Sequence, residues 1–199
     1  MNTEIEILKQ IYMKPGIYVR SISRELKIGI PSVKYGLRKL LEKKLIYSEK
    51  EGRNLKFWVN FRSRYVVPYL YAVEYDRLVK LPRNIQDAVF HFLEYFMSGP
   101  PMITVVFGSY ASGDYNKGSD LDIFMVFEKS DKGRVERVSK IISGSHGINV
   151  EPVSMTWEDF QRQFSSSDFM KSVRMNKIIV SGIEWWVMRE RKGTWKEIE

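Results

Sequence analysis

Apolar positions fall in three successive patterns along this chain. In the first sixty residues, Ile5, Leu8, Ile11 and Tyr12 recur at helical spacing, and Lys14-Pro15-Gly16 closes that segment. A second short helix is predicted over Ile17 to Leu26, with Val19, Ile22 and Leu26 inward, and Lys27-Ile28-Gly29-Ile30 turns the chain. A third begins at Pro31-Ser32, where Pro suits the first turn, and runs through Val33, Leu37, Leu40 and Leu41 to about Lys44. The period then drops to two. Leu45–Glu49 and Leu55–Val59 read as strands joined by a turn at Lys50 to Asn54.

The middle of the chain is aromatic-rich and helical: Val66, Leu70, Val73 and Leu78, then Ile85, Val89, Phe92, Leu93 and Phe96, broken at Leu81-Pro82. After Pro100-Pro101 the pattern turns to buried strands. Met102–Phe107 is one and Leu121–Phe127 is another, separated by a small, polar, glycine-rich stretch. A helix around Arg134–Ile142 leads to a strand at Ile148–Met155. Thr156 is placed to cap a helix through Asp159, and Ser165 to Asp168 to start another. Residues from Arg189 onward read as a loose tail.

Charge sharpens this picture once it is located. The net charge is +8, and residues 1–62 hold 14 Lys and Arg against 6 Asp and Glu, while residues 63–199 hold 18 against 18. The whole excess sits in the first third, which points to a polyanionic partner there or to a solvated basic face. The chain has no cysteine and only two histidines, His91 and His146, so disulfides and thiolate metal sites are excluded. His91 is expected to be a packed helix residue rather than a ligand. A metal here would be held by carboxylates, which suit Mg²⁺ or Mn²⁺. No apolar run is long enough to span a membrane, and the first ten residues lack secretory features, so a cytoplasmic location is expected.

Three helices followed by a hairpin, over residues 2–60, resemble a winged helix-turn-helix domain. In that family the third helix enters the DNA major groove and the wing touches the backbone. The resemblance implies DNA contacts from Ser32, Lys34, Tyr35, Arg38 and Lys39 on the third helix, and from Arg53 and Lys56, with Lys50, on the wing. Arg38 or Tyr35 would reach a base edge and the lysines phosphates. Winged helices also serve as dimerisation or protein-docking modules, and a homodimer is one expectation.

Gly108-Ser109 at the end of one strand, about ten further residues, then Asp120-Leu121-Asp122 on the next, make up GSYASGDYNKGSDLDIF. Alternate strand residues share a face, so Asp120 and Asp122 project together. Two adjacent carboxylates suit a pair of divalent ions in an in-line phosphoryl displacement. This stretch, within about residues 85–187, resembles the nucleotidyltransferase superfamily of the DNA polymerase β type, most closely its minimal, antitoxin-like members. The resemblance implies nucleotide-phosphate binding by Gly108 and Ser109, assisted by Ser119 or Lys117, and metal binding by Asp120 and Asp122. A third acid, as metal ligand and general base, is expected at Glu151, with Asn149 on the same face as the competing occupant. Arg174 and Lys177 face either the triphosphate or solvent, and Ile178–Val187 resembles the closing strand region of the minimal members.

The expected fold class is α+β: a winged helix-turn-helix at 1–62, a helical connector at 63–84, a nucleotidyltransferase fold at 85–190 with a mixed sheet flanked by helices, and a tail at 191–199. The resemblance implies Mg²⁺-dependent transfer of a nucleoside monophosphate, AMP from ATP, to a hydroxyl. The acceptor is a protein such as a partner toxin, or a small molecule. The rival is a transcriptional regulator that senses nucleotide without turnover, and a third reading makes the basic front end an RNA-docking module.

Overall fold

A computed structural model describes residues 3–129 and 131–193. The chain divides into two compact units, Met1–Val73 and Glu74–Glu199.

In the first unit, helix α1 (Thr3–Met13) buries Ile7, Leu8, Ile11 and Tyr12. Gly16 takes a left-handed φ of 78°, and its N–H donates to the Phe57 carbonyl at 2.9 Å. That turn lays Ile17–Tyr18 against the wing as strand β1, opposite Phe57 and Lys56. The expected helix from Ile17 therefore starts two residues later, as α2 (Val19–Leu26), in which Ile22 is fully buried and Val19 and Leu26 half-buried. Helix α3 (Ile30–Glu42) has Pro31 in its first turn and buries Val33, Gly36, Leu37 and Leu40. Leu41, expected inside, is 38% exposed, because the inward arc of α3 ends one position earlier. At Gly36 a Cβ would meet Ile7 Cδ1 at 2.4 Å, so glycine lets α3 close on α1. Strands β2 (Ile46–Glu51) and β3 (Asn54–Val59) form the hairpin, and the sheet order β1-β3-β2 completes a winged helix-turn-helix.

The unit boundary falls inside helix α4 (Val66–Leu78), so the expected connector contributes residues to both units. In the second unit, α5 (Arg83–Glu94) follows Pro82, and the sheet runs β6-β5-β4-β7. Its strands are β4 (Ile103–Phe107), β5 (Leu121–Phe127), β6 (Val150–Thr156) and β7 (Lys177–Ser181). Strand β4 is antiparallel to β5 and β7, while β6 is parallel to β5 and reached through α7 (Lys132–His146), the crossover helix a parallel pair needs. One core packs Val106, Ile123, Met125 and Ile178 with Ile85, Val89 and Phe92 of α5 and Val135, Val138 and Ile142 of α7. Elsewhere Phe124, Phe160, Phe164 and Trp186 form a second aromatic cluster with α8 (Trp157–Gln163) and α10 (Ile183–Gly193), and α9 (Asp168–Met175) starts at the expected Ser165–Asp168 segment. Strand β6 is an edge, which accommodates Pro152.

Thr156 caps α8 by accepting from the Asp159 N–H at 3.1 Å, as its position predicted. The closing strand stops at Ser181. Gly182, at a φ of 77°, turns the chain, and Ile183, Trp186 and Val187 are buried at helical spacing in α10. Residues 191–193 of the expected tail continue that helix, and 194–199 lie outside the described residues. Among the described residues no helix is long and apolar enough to cross a membrane.

Candidate active site

The site grows from the end of β4. Phe107 pairs with Asp122 across the antiparallel ladder, and the next residue, Gly108, adopts a φ of 67°. A Cβ at Gly108 would lie 2.1 Å from Asp122 Oδ2. The Asp122 carboxylate is therefore seated against the glycine backbone, at a spot only glycine leaves open. Gly108 also opens the five-residue helix α6 (Gly108–Ser112). The Ser109 carbonyl accepts the N–H groups of Gly113 and Asp114 at 2.9 and 3.1 Å, which ends that helix.

The segment between α6 and β5 is shaped by its own side chains. Asn116 Oδ1 accepts from the Gly118 N–H, and Ser119 Oγ accepts from the Asn116 N–H, both at 2.8 Å. Ser119, a residue expected at the nucleotide, thus has its hydroxyl engaged in folding the loop that delivers Asp120. Tyr115 stacks on Tyr110 with ring centroids 4.7 Å apart, and the Tyr110 hydroxyl donates to the Ser119 carbonyl at 3.4 Å.

Three carboxylates meet where β5 and β6 run parallel. Asp122 and Glu151 stand in register on adjacent strands, and Asp120 immediately precedes β5. The Asn149 amide bridges the outer pair, donating to Asp120 Oδ1 at 3.0 Å and to Glu151 Oε1 at 3.4 Å. The two alternatives for the third acid are thus side by side: Glu151 supplies the carboxylate opposite Asp122, and Asn149 holds it near Asp120. Burial pushes the Asp122 carboxyl above the usual carboxylate range, and the charges of Glu151 and then Asp120 push it further. Along β5, Asp122 interrupts an otherwise buried strand. A half-buried acid raised by two like charges is a group that a bound cation would relieve.

The donor set fits magnesium or manganese: hard oxygens from Asp120, Asp122 and Glu151. Among the described residues no group of three or more His, Asp or Glu side chains is drawn together closely enough to hold a metal ion by itself.

Other expected residues lie apart from this group. Arg174 pairs with Glu190 at 3.0 Å, and Lys177 donates to the Arg174 carbonyl at 2.8 Å with its ammonium 5.6 Å from the Trp186 ring, so both belong to the packing of α10. Burial pushes the Lys177 ammonium below its usual value, more than the nearby Glu74 and Glu190 raise it. His91 and His146 join α5 to α7 through a 3.0 Å contact between Nδ1 and Nε2.

In the first unit, Ser32, Lys34, Tyr35 and Arg38 share the exposed face of α3, and Arg53 is exposed at the wing tip. Arg38 and Lys39 flank the Tyr35 ring at 5.3 and 4.7 Å. Lys39 also lies 3.6 Å from Glu4, and Lys56 is drawn to Glu51 at 2.7 Å, where the Tyr18 hydroxyl also donates. These two lysines are therefore partly committed within the fold. Residues that the periodicity did not single out are Glu74 and Arg77, a buried pair in α4 whose only sequence signal is an i,i+3 spacing of opposite charges.

Among solved structures, the chain is similar to a mutant of the toxin-antitoxin MntA-HpeT at 13% identity and a TM-score of 0.42, covering 56% of this chain and 87% of that one. It is also similar to Lactococcus lactis ZitR, a zinc-responsive MarR family member, at 18% identity and a TM-score of 0.29, covering 49% of this chain and 75% of that one. ZitR in complex with DNA gives 19% and 0.27, with 47% and 73% covered. No curated protein matches the chain. The stretch that carries Gly108, Ser109, Asp120, Asp122 and Glu151 matches the family model described as the nucleotidyltransferase domain, over residues 103–177.

Proposed function

We propose that this protein transfers a nucleoside monophosphate, AMP from ATP, to a hydroxyl on a protein acceptor, with the winged helix holding DNA. The observation that carries the reading is the Asp122 carboxylate lodged against Gly108, with Asp120 and Glu151 alongside. That arrangement sets a glycine backbone, which a triphosphate can approach closely, beside the acids that would hold magnesium.

Asp120, Asp122 and Glu151 are the residues that would hold the ion. Bound magnesium supplies charge neutralisation at the reacting phosphate. The Gly108 backbone and the Ser109 hydroxyl bind and orient the phosphates. The acceptor oxygen bonds to the α-phosphorus, the bond to the β-phosphate oxygen breaks, pyrophosphate leaves, and Glu151 takes the hydroxyl proton on a carboxylate oxygen. ATP and a protein acceptor follow from the resemblance to antitoxin-like transferases, and magnesium from the oxygen-only donor set.

The second reading, a regulator that senses nucleotide without turnover, is favoured by the Asn149 amide, which occupies Asp120 and Glu151 at once. Pyrophosphate release separates the two. The transfer reading expects release from Mg²⁺ and ATP by wild type when lysate supplies the hydroxyl acceptor, above a lysate-only background, and loss of at least about a hundredfold in Asp122→Asn, in line with removing a principal transition-state charge interaction. Nucleotide binding with no release in wild type would support the regulator.

A further inference from the structure

Helix α6 is too short to hold itself. A helix end leaves up to four carbonyls without intrahelical partners, and with five residues α6 has little else. The Ser109 carbonyl is satisfied by the N–H groups that follow. The Ala111 carbonyl accepts from Arg77 Nη2 at 3.1 Å, a side chain 34 residues earlier on α4. The same guanidinium also reaches β7: Nη1 donates to the carbonyl of Lys177, the first residue of that strand and the one paired with Phe107. Nη1 also donates to Glu74 Oε2 at 3.0 Å. Glu74 is 1% exposed and Arg77 8%, so this is a buried charge pair committed to two backbone carbonyls.

We propose that Arg77 is the positioning residue of the nucleotide-phosphate site, fixing the Gly108-Ser109 segment by clamping α6 behind it and β7 beside it. The inference rests on the nucleotidyl-transfer reading. Arg77 acts through Ala111 and Lys177 rather than on the nucleotide. Its fork geometry matters, because a planar guanidinium can serve several acceptors in fixed directions and an ammonium cannot. Loosening α6 moves Gly108 relative to Asp122, and small misplacements of a binding group cost large factors in rate or affinity.

The test uses the full chain and three variants, Arg77→Met, Arg77→Lys and Glu74→Gln. Folding is followed by circular dichroism and thermal melting, Mg²⁺-ATP affinity by calorimetry, and KM for ATP and kcat by pyrophosphate release with lysate supplying the acceptor, above a lysate-only background. Arg77→Met is expected to raise Kd and KM about tenfold or more, with a smaller change in kcat, and Arg77→Lys to recover part of the loss. Glu74→Gln, which removes the charge partner but leaves both carbonyl contacts available, is expected to melt lower while keeping an affinity near wild type. Wild-type affinity in folded Arg77→Met overturns the proposal, as does an affinity that simply follows melting temperature across all three variants. If Arg77→Met does not fold, Arg77→Lys against Glu74→Gln decides by the same criterion. Wild-type protein that binds no nucleotide overturns the transfer reading itself, whereas intact wild-type binding with unaffected Arg77 variants overturns only this inference.

Discussion

Asp122 carries both the fold's electrostatic cost and the proposed chemistry. Its pKa is raised in the folded state by burial and then by Glu151 and Asp120. The folded protein therefore holds that proton more tightly than the unfolded chain, so the stabilisation exists at low pH and is lost as pH rises through the folded pKa. At neutral pH the ionised side chain counts against the metal-free fold. Asp122→Asn is accordingly expected to raise the melting temperature of metal-free protein at pH 7, with the gain fading below about pH 4, near the unfolded carboxylate value. Pyrophosphate release should be lost in the same variant. A melting temperature at pH 7 equal to or below wild type would contradict the assignment of Asp122 as a strained acid.

At the scale of elements, periodicity carried most of the architecture. The helical spacing of Ile5 to Tyr12 and of Val33 to Leu40 anticipated α1 and α3, and the apolar runs at 102–107 and 121–127 anticipated β4 and β5. What it missed was decided by backbone geometry at glycines. Gly16 turned Ile17–Tyr18 into a strand, and Gly182 ended β7 so that the run after it could wind into α10. Asp120, Asp122 and Gly108 were legible because their spacing is local. The clamp by Arg77 was not, because its partners lie 34 and 100 residues away and are backbone carbonyls, which leave no mark in the sequence. At Gly182 a Cβ would come within 1.8 Å of the Met102 carbonyl oxygen, on top of a φ of 77°. Gly182→Ala is expected to cost about 2 kcal/mol or more, measured by denaturant melts. Gly113→Ala, with a φ of 89° but open space around it, should cost less; equal costs would mean that the contact with Met102 is not what the glycine serves.

For the whole molecule, the charge imbalance and the site lie in different units. The basic excess belongs to residues 1–62, where the exposed face of α3 carries Lys34, Tyr35 and Arg38 and the wing tip carries Arg53, while the balanced remainder holds the carboxylate site. If α3 meets DNA phosphates, affinity for duplex DNA should fall steeply with salt, and Lys34→Ala should reduce the slope of log affinity against log salt by about one. Preference for single- or double-stranded RNA over duplex DNA, or a slope unchanged in the variant, would count against a DNA-binding face.

Nucleotidyl transfer is tested by following the α-phosphate itself. Purified protein is incubated with Mg²⁺ and each of the four α-³²P-labelled ribonucleoside triphosphates, with and without lysate, beside an Asp120→Ala/Asp122→Ala control. Label from ATP is expected on a protein component, dependent on Mg²⁺ and absent in the control. Retention of all label as free nucleotide, with any of the four and despite measurable binding, would contradict it.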